Sequence, residues 1–211
     1  MADTTPNRRF GFLMYHEYEE LDLIGPWEMA TMWRDYAGGP ECVTVAEQAG
    51  RVHCAKGLST FAEHDFASCP KLDYLLIPGG FAAAEQAKNE RVLDWLRAQA
   101  EACEHVLSVC TGSWMFAAAG LLDGRRATSH WKGLEALGKA GDVTVVEHQR
   151  WVRDGKVWTS AGVSAGIDLT LAFIEAVDGP EAAAAVQLNA EYFPDGRLYG
   201  KNAETHAAAR S

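Results

Sequence analysis

Glu104-His105-Val106-Leu107-Ser108-Val109-Cys110-Thr111-Gly112-Ser113-Trp114-Met115-Phe116-Ala117-Ala118-Ala119-Gly120 is the stretch on which the fold turns. Val106, Leu107 and Val109 suit a buried parallel strand. Thr111, Gly112 and Ser113 are the small or capping residues expected where a helix starts. Trp114 to Ala119 favours helix, and Gly120 is its expected stop. A side chain at such a loop-free corner stands above the sheet and faces the open amides of the helix. Cys110 holds that position, the pattern of a nucleophile elbow. The helix N-terminus is expected to ease ionisation of its thiol. The Thr111 amide is expected to donate to negative charge developing on a substrate. The plainer alternative is a small buried hydrophobe; the corner position favours the nucleophile.

The chain of 211 residues is long enough for one well-filled core. With 48% hydrophobic and 23% charged residues it has the make-up of an ordinary soluble globular protein. A net charge of −10 argues against nucleic-acid binding and against a basic membrane-binding patch. No apolar run is long enough to cross a bilayer, and the polar N-terminus lacks the apolar segment of a secretion signal. A cytoplasmic protein with a small-molecule partner is expected. Cys42, Cys54, Cys69, Cys103 and Cys110 are odd in number and lack Cys-x-x-Cys spacing, so neither disulfides nor a zinc site is expected. Cys42 and Cys103 fall in apolar segments and read as core.

Outward from the central stretch, two more apolar strands stand out, Phe10–Tyr15 and Asp73–Ile77. The second runs into Pro78-Gly79-Gly80, where backbone can approach a ligand closely. After the first comes an acidic turn and then Leu21-Asp22-Leu23-Ile24-Gly25-Pro26. Pro26 fits the first position of a helix running to about Tyr36. Glu41–Ala46 alternates like a strand, and Arg51–Thr60 reads as short strands or a hairpin with Gly50 and Gly57 at turns. Glu90–Glu101 is an amphipathic helix. Arg126–Ser129, Val143–Glu147 and a hairpin at 151–159 with Asp154-Gly155 at its tip follow, with a brief helix at 131–137 between the first two. Helices at Ser164–Val177 and Pro180–Tyr192 close the chain. Alternating strands and helices argue for an α/β sandwich with a mostly parallel sheet. A single domain is expected over 9–194, with tails at 1–8 and 195–211.

Sites in such sheets lie at the carboxyl ends of the strands. Asp22, Gly79-Gly80 and Cys110 follow three of those ends, and their convergence is the spatial expectation. Asp22 could exchange a proton with a group attached to Cys110, or could simply cap a helix. Glu17, Glu19 and Glu20 read most simply as a solvated face, with Glu19 and Glu20 as weaker alternative acids. The Gly80 amide could join that of Thr111 as an oxyanion hole, or Gly79-Gly80 could be only a turn. His130 could pair with the cysteine, or be a hydrogen-bonded, partly buried histidine. The other six histidines show no metal-ligand spacing, and no nucleotide-binding motif is present.

Four motifs carry a resemblance: Ser-Val-Cys-Thr-Gly-Ser at 108–113, Leu-Leu-Asp-Gly-Arg-Arg-Ala-Thr-Ser-His-Trp at 121–131, Ile-Pro-Gly-Gly at 77–80 and Ser-Ala-Gly-Ile-Asp-Leu at 164–169. Together they resemble the ThiJ/PfpI superfamily, related to class I glutamine amidotransferases. Leu-Asp-Leu-Ile-Gly-Pro at 21–26 and Gln-Leu-Asn-Ala-Glu-Tyr-Phe-Pro at 187–194 resemble its isonitrile hydratase branch, or the amidotransferase-like halves of certain transcription activators. The resemblance implies a flavodoxin-like three-layer sandwich, a homodimer, and no cofactor or metal. It further implies that Cys110 attacks the terminal carbon of an isonitrile, Asp22 serves as acid and base, and Thr111 assists through its hydroxyl or amide. The product would be an N-substituted formamide, formed through a cysteine thioimidate. His130 matches a family position outside any obligatory triad. The chain departs from the pattern at His16, where proline is common, and at Phe81-Ala82-Ala83-Ala84, where small glycine-rich residues are common. Phe81, Trp114 and Tyr18 are therefore candidates for reshaping the pocket and the substrate. The alternatives are a non-catalytic sensor module, or another cysteine chemistry such as oxidation sensing or hydration of a reactive carbonyl.

Overall fold

The structure, a computed structural model, describes residues 8–194. The elements in order are β1 (Arg9–Met14), α1 (Glu20–Ala37), β2 (Glu41–Ala46), β3 (Gly50–His53), β4 (Ser59–Ala62), β5 (His64–Asp65) and β6 (Tyr74–Ile77). Next come α2 (Ala83–Gln86), α3 (Glu90–Ala102), β7 (His105–Ser108), α4 (Gly112–Ala118), β8 (Arg125–Ala127), a 3-10 turn at Trp131–Gly133 and α5 (Leu134–Gly138). The chain finishes with β9 (Val143–Val145), β10 (Trp151–Asp154), β11 (Val157–Ser160), α6 (Ala165–Asp178) and α7 (Pro180–Asn189). The tails expected at 1–8 and 195–211 lie outside the described residues, except for Arg8, which pairs with Asp178 at 2.7 Å.

Seven strands form one sheet in the order β10-β11-β7-β6-β1-β2-β5. Every neighbouring pair is parallel except β10–β11, the hairpin turned at Asp154-Gly155. The inner strands β1, β6 and β7 are buried along almost their whole length, as their unbroken apolar runs require. Helices α1, α6 and α7 pack together as one layer; α2, α3 and α4 form another. This is the mostly parallel three-layer α/β architecture expected. Two small accessory pairs, the antiparallel β3–β4 hairpin and the parallel β8–β9, stand outside the main sheet.

Phe173 of α6 sits in an aromatic cluster that joins the first helical layer to the sheet. Its ring lies edge-on to Tyr74 at 5.1 Å, Phe10 at 5.7 Å, Trp158 at 5.7 Å and Trp33 at 6.0 Å. Edge-to-face contacts of this kind add to the burial term.

The first helix differs from the sequence expectation. It starts at Glu20, not at Pro26, and Pro26 lies inside it. Proline has no amide for the helical ladder, which normally excludes it from an interior. Here the Gly25-Pro26 side packs against α6. A Cβ on Gly166 would come within 2.9 Å of Pro26 Cγ, and one on Gly25 within 2.9 Å of Ile167 Cγ1. That close crossing, which a sequence pattern does not reveal, overrides the propensity rule. Asp22 therefore sits in the first helical turn and not in a preceding loop. At the other end α7 stops at Asn189, short of Tyr192.

Phe173→Ala should destabilise the protein by about 3–5 kcal/mol in urea unfolding, while Phe173→Leu, which conserves most of the volume, should cost under about 1.5 kcal/mol.

Candidate active site

β7 ends at Ser108 and α4 starts at Gly112; Val109, Cys110 and Thr111 form the corner between them, with Cys110 at a φ of +57°. A non-glycine residue in this left-handed region costs of order 1–3 kcal/mol unless its surroundings hold it. They do: the Cys110 carbonyl accepts from Ser129 Oγ at 2.9 Å and Ser113 Oγ at 3.2 Å, and its amide donates to the Ala161 carbonyl at 3.2 Å. Thr111 precedes α4 but does not cap it with its side chain. Its hydroxyl instead accepts the Gly80 amide at 3.1 Å.

Because β1, β6 and β7 are neighbours, the segments leaving their carboxyl ends meet. Asp22 Oδ2 accepts the Gly79 amide at 2.8 Å, and Asp22 is fully buried. The Cys110 thiol lies close enough for the two groups to shift each other's titration, and the second carboxyl oxygen, Oδ1, is buried with no hydrogen-bond partner among the described residues. Gly79 is confined on both sides: a Cβ there would come within 2.5 Å of the Thr111 amide nitrogen and 3.0 Å of Asp22 Oδ2. The structure thus brings Cys110, Thr111, Asp22, Gly79 and Gly80 together. Both glycine amides are already engaged, one by Thr111 and one by Asp22.

His130 forms no hydrogen bond with the Cys110 thiol. Its Nδ1 accepts the Lys132 amide at 3.2 Å, closing the 3-10 turn, and its ring lies against Gly162. Burial, and then the Lys132 charge, lower its pKa, so the ring is neutral near pH 7 with its proton on Nε2. Phe81 is 68% exposed, and Trp131, beside His130, is 65% exposed. Trp114 donates to the Gly133 carbonyl at 3.1 Å, and Tyr18 donates to Thr60 Oγ1 at 3.0 Å, so both polar tips are engaged away from the thiol. Glu19 and Glu20 do not form a solvated face. Both are partly buried: Glu19 grips Lys56, and Glu20 Oε1 accepts the Lys56 amide at 2.8 Å.

The electrostatics also differ from the sequence expectation. The Cys110 thiol is pushed up to about 12, by burial first and by the Asp22 charge second. The Thr111 and Val163 amides favour the thiolate but do not outweigh these effects. The dipole of a short, seven-residue helix is the weaker influence once the sulfur is out of water beside a carboxylate. Burial likewise raises Asp22 to about 7, against the opposing Gly79 hydrogen bond. Groups this close titrate as a unit, the carboxyl group losing its proton well before the thiol does. Tyr15, buried against both and raised by burial, stays neutral and donates to the Pro78 carbonyl at 3.0 Å.

Val163 is a site residue the sequence reading missed. It is β-branched yet has a φ of +53°, which turns its amide toward Asp22 and Cys110. Nothing in Gly162-Val163-Ser164 marks it; the signal is a backbone angle. Among the described residues, no group of three or more His, Cys, Asp or Glu side chains is placed to hold a metal ion, and no helix is long and apolar enough to cross a membrane.

A parallel α/β sheet with a cysteine at a strand-to-helix corner, met there by a buried carboxyl group, defines a recognisable class of protein. Within it, the chain belongs to the DJ-1/PfpI family, whose sequence profile matches residues 8–176. It is 37% identical over 186 residues to the isonitrile hydratase of Pseudomonas putida, a match covering 88% of this chain and 79% of that one. It is 29% identical over 178 residues to the HTH-type transcriptional regulator GbdR of Pseudomonas aeruginosa, covering 83% of this chain and 48% of the regulator. The chain thus spans about half the regulator's length. A ThiJ/PfpI family protein from Pseudomonas syringae superposes with a TM-score of 0.85 at 30% identity, covering 97% of this chain and 85% of that one.

The raised Asp22 pKa has a consequence for stability. The folded chain holds this proton more tightly than the unfolded chain does, so the contribution is full below about pH 4 and is lost as pH rises through about 7. Asp22→Asn should therefore be more stable than the parent at pH 8, by about 4 kcal/mol, and close to it at pH 4. Urea midpoints at the two pH values check this.

Proposed function

We propose that the protein hydrates isonitriles to N-substituted formamides, with Cys110 as nucleophile and Asp22 as the group that moves protons. The observation that carries the reading is a buried carboxyl group, raised to about 7, beside the thiol at a strand-to-helix corner. An isonitrile carbon needs a soft nucleophile and a proton; it develops no oxyanion on attack. This suits a site whose Gly79 and Gly80 amides are both occupied. The narrow, uncharged terminus of an isonitrile also suits a sulfur whose residue is only 7% exposed. The 37% identity to an isonitrile hydratase supports the same reading.

In the reaction, the Asp22 carboxylate takes the thiol proton as sulfur bonds to the terminal carbon, then gives it to that carbon, leaving a thioimidate. Water adds to the thioimidate carbon as Asp22 takes one of its protons and passes it to nitrogen. The tetrahedral adduct then collapses: the carbon–sulfur bond breaks, the hydroxyl proton returns through Asp22 to sulfur, and the formamide leaves. Water supplies the oxygen and both hydrogens gained. The Thr111 and Val163 amides favour negative charge on sulfur during attack and departure. Phe81 and the neutral His130 line the approach. No cofactor is required. The reading includes a homodimer located in the cytoplasm.

Cys110→Ala should lower formamide production from small alkyl isonitriles by at least about a thousandfold while keeping the fold. Undiminished formamide from that variant would sink the proposal. A panel including glyoxals tests carbonyl hydration alongside it. The second reading, a sensor module, draws on the similarity to the regulator over 178 residues. It calls for ligand-induced thermal stabilisation without turnover.

A further inference from the structure

We propose that Lys56, at the tip of the β3–β4 hairpin, is a positioning residue for the Asp22–Cys110 pair, acting through Glu19. The inference rests on the assignment of that pair. Glu19 immediately precedes α1, three residues before Asp22. Its amide donates to the Gly79 carbonyl at 2.8 Å, and its carbonyl accepts the Asp22 amide at 3.1 Å. Its backbone is therefore bonded to the same two residues, Gly79 and Asp22, that bond each other. Its side chain is only 12% exposed, and both carboxylate oxygens grip Lys56 Nζ. A partly buried carboxylate without a cation would be costly. The hairpin tip that supplies the cation is fastened to the same segment of chain. The Ala55 amide donates to the Tyr18 carbonyl at 2.8 Å, and the Lys56 and Leu58 amides donate to Glu20 Oε1 at 2.8 and 3.4 Å.

The charges around Asp22 come from four elements. Cys110 faces it from the corner, Tyr15 from the end of β1, Glu19 from its own helix start and Lys56 from the hairpin. Glu19 in turn faces Lys56, Asp22 and His130. Lys56 is the cation in this set. With it in place, the Glu19 charge, which still raises Asp22, is offset in part, and Glu20 adds a second carboxylate beside Lys56. Without it, Asp22 must ionise beside an uncompensated carboxylate.

The test is the pH dependence of Cys110 alkylation by iodoacetamide, quantified on the Cys110 peptide by mass spectrometry. It needs no isonitrile, so it stands whether or not the proposed reaction is the right one. Reactivity should rise as Asp22 ionises, because the carboxylate can then take the thiol proton as sulfur attacks the reagent. Lys56→Met should move that rise up by about 0.5–1 pH unit and Glu19→Gln should move it down by a similar amount. Lys56→Arg should match the parent, and the Lys56→Met/Glu19→Gln double variant should return close to it. A role confined to hairpin stability would lower the melting temperature of the variants and leave the pH of the rise unchanged. A rise that stays within about 0.2 unit in both Lys56→Met and Glu19→Gln overturns the proposal. Should Lys56→Met fail to fold by circular dichroism, Glu19→Gln and the double variant decide: displacement of the first and not the second supports the proposal, and no displacement in Glu19→Gln overturns it. A parent profile with no rise near neutral pH removes the pair itself, and this inference with it.

Discussion

A thiol and a carboxyl group buried side by side, where the carboxylate makes a thiolate harder to form, are the constraint around which the candidate site is built. A lone buried carboxylate or thiolate would be expelled or neutralised. Together, Asp22 and Cys110 limit the pair to one negative charge over a wide pH range, and a few aimed amides suffice to hold it. Those amides come from Gly79, Thr111 and Val163, on three separate segments. The three inner strands must end side by side for these segments to meet, and the apolar runs of β1, β6 and β7 secure that order. The fold is in this sense the scaffold of a single titration.

Local geometry around the pair is tight because there is no slack to share. Gly79 accepts no side chain, since both the Thr111 amide and Asp22 already occupy the space one would take. Cys110 and Val163 both adopt left-handed backbone angles. Two hydroxyls, Ser113 and Ser129, pin the Cys110 carbonyl, one from the adjoining helix and one from a later segment. Two of the five non-glycine residues with positive φ among the described residues thus lie where the chemistry is proposed, held there by their surroundings.

Much of this was legible in the residues. Val106 to Gly120 announced a strand, a corner and a helix; Asp154-Gly155 announced a hairpin; Gly79-Gly80 announced a close approach. These are local signals, carried by periodicity and turn chemistry. What was not legible depends on contacts between distant residues. The start of α1 is decided by packing of Gly25-Pro26 against Gly166, on a helix far along the chain. The Thr111 hydroxyl reads as a cap but is claimed by Gly80, 31 residues away. Glu19 reads as solvated because its partner, Lys56, lies 37 residues off. The thiol was expected to be acidic from its place before a helix; burial and a neighbouring carboxylate reverse the sign. Patterns in sequence report secondary structure well and dielectric surroundings poorly.

The two borders of the main sheet show how the molecule stays apart from its neighbours. An open strand border is a template for unwanted pairing between chains. On one side the outermost strand, β5, is only two residues long and runs straight into an Asp65–Ser68 turn. On the other, β10 lies against the small β8–β9 pair, and Asp154 at its end is taken by the Arg126 amide and the Arg125 side chain. Neither border offers a long, flat ladder of free amides and carbonyls. A sheet of seven strands is thereby guarded against edgewise aggregation without being closed into a barrel.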